Sequence, residues 1–230
     1  MKKFLFVILF SVLVLPLSAQ VKSGTISVSA RENVVNKLPK DVAYVFPDFV
    51  DMTLNYLDGR FSKGRLNVRL LDNFILYIDT KGDTLVLSNP AQVKNLVHND
   101  TIYRVVSNSV VKVLSEDDSR QLAQRVRLKL SEESADAGYS SLPPTSTAVS
   151  SSVRSYDPSR NIDTKTEYSY RHEVDYVLID GDKIYPARLS SFNRLFPDRK
   201  KAIKAYVRDN ALDLETASGL TALFDFCAGR

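Results

Sequence analysis

From Thr166 to Val174 the chain alternates without a break. Thr166, Tyr168, Tyr170, His172 and Val174 share one parity, and Lys165, Glu167, Ser169, Arg171 and Glu173 the other. Successive side chains of a strand point to opposite faces, so a period of two demands an extended segment with one covered and one solvated face. The alternation recurs through the middle of the chain. Met52, Leu54 and Tyr56 stand against Asp51, Thr53 and Asn55, and Leu66, Val68 and Leu70 against Arg65, Asn67 and Arg69. Val126, Leu128 and Leu130 stand in the same way against Arg125, Arg127 and Lys129. Half-buried strands of this kind belong to antiparallel sheets that cover a core with one face, which predicts an antiparallel β-rich body over residues 40–130.

Turn chemistry separates these strands. Asp58-Gly59 follows the first of them, and Lys81-Gly82-Asp83 lies between the continuous apolar run Phe74 to Ile78 and Thr84 to Leu87. That arrangement predicts a hairpin with one strand fully covered. Ile102 to Val106 and Val110 to Leu114 give two more strands. Between the pairs, Asn89-Pro90 with Val93, Leu96 and Val97 predicts a short helical turn or loop, with Pro90 at its first position.

Beyond the long alternating segment, Tyr176 to Ile179 and Lys183 to Tyr185 predict a hairpin across Asp180-Gly181-Asp182. The period then changes. Ser190 opens a short helical turn that ends at Phe196. Pro197 and Asp198 begin a helix with Ile203, Tyr206 and Val207 on its apolar face and Asn210 as the left-handed residue at its end. Thr216 caps a second helix, whose Leu220, Leu223, Phe224 and Cys227 recur at i, i+3, i+4 and i+7. Residues 131–160 are rich in Ser, contain Pro143-Pro144 and Pro158, and have too few large apolar side chains to offset ordering entropy, so they read as a flexible linker. The expected fold is α+β: a polar lead-in over 20–39, the β-rich body, the linker, and a strand-plus-helix-pair module over 161–230.

Residues 1–19, MKKFLFVILFSVLVLPLSA, carry the three parts of a secretory signal peptide: Lys2 and Lys3, the apolar run Phe4 to Leu15, then Pro16 and the small pair Ser18-Ala19. Cleavage is expected between Ala19 and Gln20. The apolar run is shorter than the roughly 20 residues of a spanning helix, so no integral membrane span is expected after cleavage. Removal of the leader takes two of the 31 Lys and Arg and none of the 27 Asp and Glu, which leaves 29 against 27. Such a balance, with charges interspersed, gives no reason to expect nucleic acid as a partner. The single cysteine, Cys227, permits no intramolecular disulfide, and the absence of a cysteine after Ala19 argues against a lipid anchor.

Reactive groups are few. His98 and His172 are the only imidazoles. His172 shares a strand face with Tyr168 and Tyr170 and lacks the helical spacing that places two histidines on one zinc, so it reads as a packed strand histidine. His98 lies in the polar turn His98-Asn99-Asp100 and is expected to face solvent. Cys227 belongs to an apolar helix stripe, whereas a reactive thiolate needs an electropositive, partly exposed setting. Asp72, Asp117-Asp118 and Asp180-Asp182 fall in turns, where Asp serves local hydrogen bonding, and none has the spacing of a calcium loop. There is no glycine-rich phosphate loop, no GxSxG and no CxxC. No catalytic, cofactor-binding or metal-binding residue is therefore assigned, and no cofactor is expected. Tyr168 and Tyr170 would make a binding face only if exposed. Asp83-Thr84-Leu85 and Asp100-Thr101-Ile102 have the form of Asp-Thr-aliphatic O-glycosylation acceptors.

Several segments together carry a resemblance: the leader ending LSAQ, VFPDFVDMTLNYLDGR with the later LNVRLLDNFILYID, GDTLVLSNPAQVKNL, and SSFNRLFPDRKKAIKAYVRDNALDLETASGLTALFDFC. In this order they resemble a large uncharacterised family of signal-peptide-bearing, exported Bacteroidota proteins. Where that family carries a Gly-Ala-Tyr-Gly-like stretch, this chain has Ala137-Gly138-Tyr139-Ser140. The resemblance implies export and a β-rich body with a helical tail, and transfers no catalytic residue. The expected role is non-enzymatic binding or assembly in the cell envelope, in the periplasm or at the outer-membrane surface, with another envelope protein or a surface polysaccharide as partner. The alternative is an envelope hydrolase of glycosidase type that relies on paired Asp and Glu.

Overall fold

Antiparallel pairing builds the molecule into one curled sheet, flanked by a few helices. The computed structural model describes residues 22–29, 31–133 and 165–230. Among these the strands are β1 (Ser23–Ser29), β2 (Val50–Tyr56), β3 (Phe61–Arg69), β4 (Phe74–Ile78), β5 (Thr84–Val86), β6 (Val93–His98), β7 (Thr101–Val106), β8 (Ser109–Glu116), β9 (Arg120–Glu133), β10 (Lys165–Asp180) and β11 (Lys183–Pro186). Their spatial order is β1-β10-β9-β8-β7-β6-β2-β3-β4-β5, with β11 on the same edge of β10 as β1 but farther along. The helices are α1 (Val34–Lys37), α2 (Lys40–Ala43), α3 (Leu189–Leu195), α4 (Lys200–Asp209) and α5 (Ala217–Ala228).

The sheet curls because β9 outruns its neighbour. β8 pairs with β9 only as far as Gln124, which leaves the rest of that edge open, and the chain after β3 reaches it: the Leu128 N–H donates to the Leu70 carbonyl at 3.3 Å. Leu70 and Leu128 meet Leu38, Val42 and Ala43 of the α1–α2 region in a small core at this seam. The larger core inside the curl gathers Met52, Leu54, Leu66, Ile75 and Leu96 from four adjacent strands. A third core forms where α3, α4 and α5 cover Leu122 and Leu178, and Phe192 and Phe224 are fully buried there. Each such phenyl contributes about 2–3 kcal/mol by leaving water.

The helical tail follows its sequence signals. Thr216 Oγ1 accepts the Gly219 N–H at 3.2 Å to cap α5, and Gly229, at φ 81°, ends it. Tyr206 stacks on Phe226 at 4.0 Å between ring centroids, and Arg199 Nη1 donates to the Phe226 carbonyl at 2.7 Å. These contacts bind α4 to α5. The left-handed residue after α4 is Ala211, at φ 47°, rather than Asn210.

Several other expectations are corrected. The segment 20–39 is not only a polar lead-in, because Ser23–Ser29 pair with β10 as a strand. Residues 165–180 form one strand of 16 residues rather than two, since Asp175 is neutralised across the ladder by Arg125 and does not break it. That strand pairs with β9 over Glu167 to Asp180, so the strands of 161–230 continue the sheet of 40–130. β9 runs on through Glu133, three residues into the expected linker, and the remainder of 131–160 lies outside the described residues. Val93, Leu96 and Val97 lie in β6; only Pro90–Gln92 is helical. A register shift opposite Asn55 and Tyr56 puts an extra residue into β6, so two buried positions fall three apart and mimic a helix. β4 is not fully covered, because Phe74 is exposed at its start. Asn67, expected outward with Arg65 and Arg69, is buried at 1% exposure.

Candidate functional site

The groups with the most reactive chemistry are occupied by the architecture. His172 is buried on β10, where its Nε2 lies 2.8 Å from the Val42 carbonyl and so donates to it, fixing α2 against the sheet. His98 is half-buried rather than solvent-facing: its Nδ1 bonds the Asp51 carbonyl at 2.9 Å and its ring meets Phe46 edge-on at 5.2 Å. Cys227 lies in the helix-covered core, and burial pushes its thiol up to about 11, against a smaller opposing effect of Arg199 and Arg120. It is a thiol, not a thiolate, at neutral pH.

The carboxylates are similarly engaged. Asp58, Asp72, Asp79, Asp117 and Asp213 each accept a backbone N–H within their own turn, at 2.6–3.2 Å. Asp182 stands exposed at the β10–β11 turn, 3.9 Å from Arg104. Glu173 sits in a cross-strand cluster with Lys129 at 2.8 Å, Arg171 at 2.9 Å and Arg127 at 3.7 Å, and the Lys129 hydrogen bond leads in holding its carboxyl below the ordinary range. Glu32, Asp41 and Asp58 are lowered too, by bonds from Lys37, from Lys22 and from the Arg60 N–H respectively. A glycosidase-type acid needs the opposite displacement. Among the described residues no three His, Cys, Asp or Glu gather as a metal site, and no helix is long and apolar enough to cross a membrane. Tyr170 packs into the seam core rather than presenting a platform, and Tyr168 is half-buried. Thr84 is exposed at the start of β5, while Thr101 is half-buried at the start of β7.

What the structure adds is an open groove of about 250 Å³ at the β2–β5 end of the sheet. Leu54 and Tyr56 of β2, Lys63, Gly64 and Leu66 of β3, Tyr77 of β4 and Leu87 after β5 are among its lining residues. Gly64 creates the space. It pairs with Met52 inside a regular strand, and a Cβ placed on it would meet only Leu66 Cδ1, at 3.7 Å. At the mouth, Tyr56 and Ser62 hydroxyls lie 3.2 Å apart. Lys63 is the one charged residue of the lining; it pairs with Thr53, so its side chain lies on the face opposite Gly64, and it forms no ion pair among the described residues.

The surroundings of the groove are unlike the rest of the surface. The large apolar side chains exposed among the described residues are Leu57 (64%), Phe61 (66%), Phe74, Leu85 (41%) and Val86 (45%), all between the end of β2 and the end of β5. Phe74 is overlaid by the Arg69 guanidinium at 5.2 Å; the others are uncovered. This region is not announced by alternation, which becomes readable in β3 only at Leu66 although the strand begins at Phe61. The available signal was Gly64 itself, since a glycine inside a strand marks a bulge or a close approach by something else.

Comparison with known proteins finds no matching family model, no matching curated protein and no matching solved structure.

Proposed function

We propose that this chain is exported to the cell envelope, to the periplasm or the outer-membrane surface, and acts there by binding a partner rather than by turning over a substrate. The observation that carries the binding half is the groove over Gly64, beside which uncovered Leu85 shares the face of the lining residue Tyr77. A concave site lined mostly by apolar and aromatic side chains, with a few polar groups, is what a binding site presents. The structural employment of His98, His172, Cys227 and the turn aspartates supports the same reading. Export is supported by the leader before Gln20 and by the resemblance to exported Bacteroidota proteins.

Fractionation of native cells, with N-terminal sequencing and crosslinking of the recovered protein, tests both halves. The expected result is a chain beginning at Gln20 in the envelope fraction, with a crosslinked partner that Gly64→Val loses. A cytosolic chain that keeps Met1 contradicts export. Turnover of a polysaccharide or peptide that disappears when one carboxylate is replaced contradicts the binding role and restores the hydrolase.

A further inference from the structure

The free edge of β5 gives the groove a direction. Asp79 N donates to Asp83 O at 2.9 Å and Leu87 N to Ile75 O at 2.8 Å, on either side of the Tyr77–Leu85 pair. Bonded and non-bonded pairs alternate along an antiparallel ladder, so Tyr77 and Leu85 form the bonded pair between them. Thr84 and Val86 then turn their N–H and C=O groups away from β4, toward the side where β5 has no neighbour among the described residues. Leu85 shares the face of Tyr77 and stands beside the groove, while Val86 adds apolar surface on the other face.

We propose that β5 is a docking edge for an extended segment of another polypeptide, which adds as a further strand and lays an apolar side chain into the groove over Gly64. This rests on the binding role above and selects polypeptide over polysaccharide. Unused main-chain donors and acceptors beside a side-chain pocket are what strand addition requires: the ladder supplies affinity and the pocket specificity. β1 also ends the sheet, but it alternates the small polar residues Ser23, Thr25, Ser27 and Ser29 where β5 carries exposed Leu85 and Val86. A second copy of this chain is disfavoured as occupant. A strand of three residues paired with itself falls far short of the roughly 1,200 Å² of a stable interface, whereas a flexible segment gains the edge and the groove together.

Selection of a displayed library of random 12-residue peptides on the mature chain from Gln20, with recovered sequences remade as labelled peptides, tests this. The expected peptides carry apolar residues at alternating positions. Two variants keep the fold: Gly64→Val fills the groove at a strand position with room for a Cβ, and Val86→Pro removes an N–H that makes no ladder bond. Each weakens peptide binding at least tenfold with an unchanged urea midpoint. Recovered peptides that bind all variants equally, or a library that yields none, overturn the inference while leaving export and polysaccharide binding standing. A concentration-dependent dimer that Val86→Pro abolishes overturns it in favour of a second copy.

Discussion

Asn67 holds Phe46 by both of its backbone groups: Nδ2 donates to the Phe46 carbonyl at 2.8 Å, and Oδ1 accepts the Phe46 N–H at 3.2 Å. Nδ2 also reaches the Asp48 carbonyl at 3.2 Å. The chain at 43–45 pairs with the end of β3, as β2 pairs with its beginning, and Asn67 closes the irregular stretch between them. Phe46 is thereby placed edge-on to Tyr103 at 5.7 Å, inside the main core.

Replacing Asn67 by Leu keeps the volume but leaves the two backbone groups of half-buried Phe46 without their partner. The expected loss is about 3 kcal/mol, since each unsatisfied buried group costs about 1–3 kcal/mol. Urea denaturation of the two proteins checks it, and a change within experimental error removes Asn67 from the framework.

Gly219 lies in the first turn of α5, where a Cβ would stand 1.9 Å from the Asp213 carbonyl oxygen. Helix propensity alone predicts that Gly219→Ala stabilises, by up to about 1 kcal/mol. The contact predicts the opposite sign, a loss of about 2 kcal/mol as the backbone gives way. The direction of the shift in Tm decides between them.

Cys227 is expected to be inert to an aromatic disulfide reagent in the native protein at pH 8 and to react fully in guanidinium chloride. Its folded value of about 11 lies above the unfolded one, so the stability it contributes is complete below the unfolded value and is lost as pH rises toward 11. Cys227→Ala should flatten the alkaline limb of the stability profile. Rapid native labelling would show that the α5 stripe opens.

Glu173 has the reverse sign. Its folded value is lowered, chiefly by Lys129, so its contribution is complete above the ordinary carboxylate range and disappears as pH falls through the displaced value. Protonation removes the counter-charge that Lys129 and Arg171 share at Glu173, while Arg127 keeps Asp175 at 3.7 Å. Glu173→Gln is expected to lower the urea midpoint at pH 7 and to reduce its fall between pH 6 and pH 3. An unchanged pH dependence would place the acid sensitivity elsewhere.

Where one face of a strand met solvent, the alternation was readable, as in β2, in the centre of β9 and in the first half of β10. It fails where both faces are covered. Leu122 lies under the helices while its neighbour Ala123 joins Val111 and Val177 on the opposite face, so no alternation announces the start of β9. β1 carries only Ile26 and Val28 against five Ser, Gly or Thr, too little to stand out until β10 pairs with it. The α5 stripe was legible in full, because a helix packed on one side keeps its period. The groove was not, because it consists of a missing side chain at Gly64 and a curl that only the assembled sheet produces.

The binding role depends on the β2–β5 end of the sheet being where this protein meets its partner. The most direct measurement is photo-crosslinking in native cells, with a benzophenone amino acid placed singly at Phe61, Leu85 or, on the far side of the chain, Lys201. The account predicts one adduct of the same mass from Phe61 and Leu85, lost on adding Gly64→Val, and none from Lys201. No adduct from Phe61 and Leu85, or equal adducts from all three positions, would contradict it.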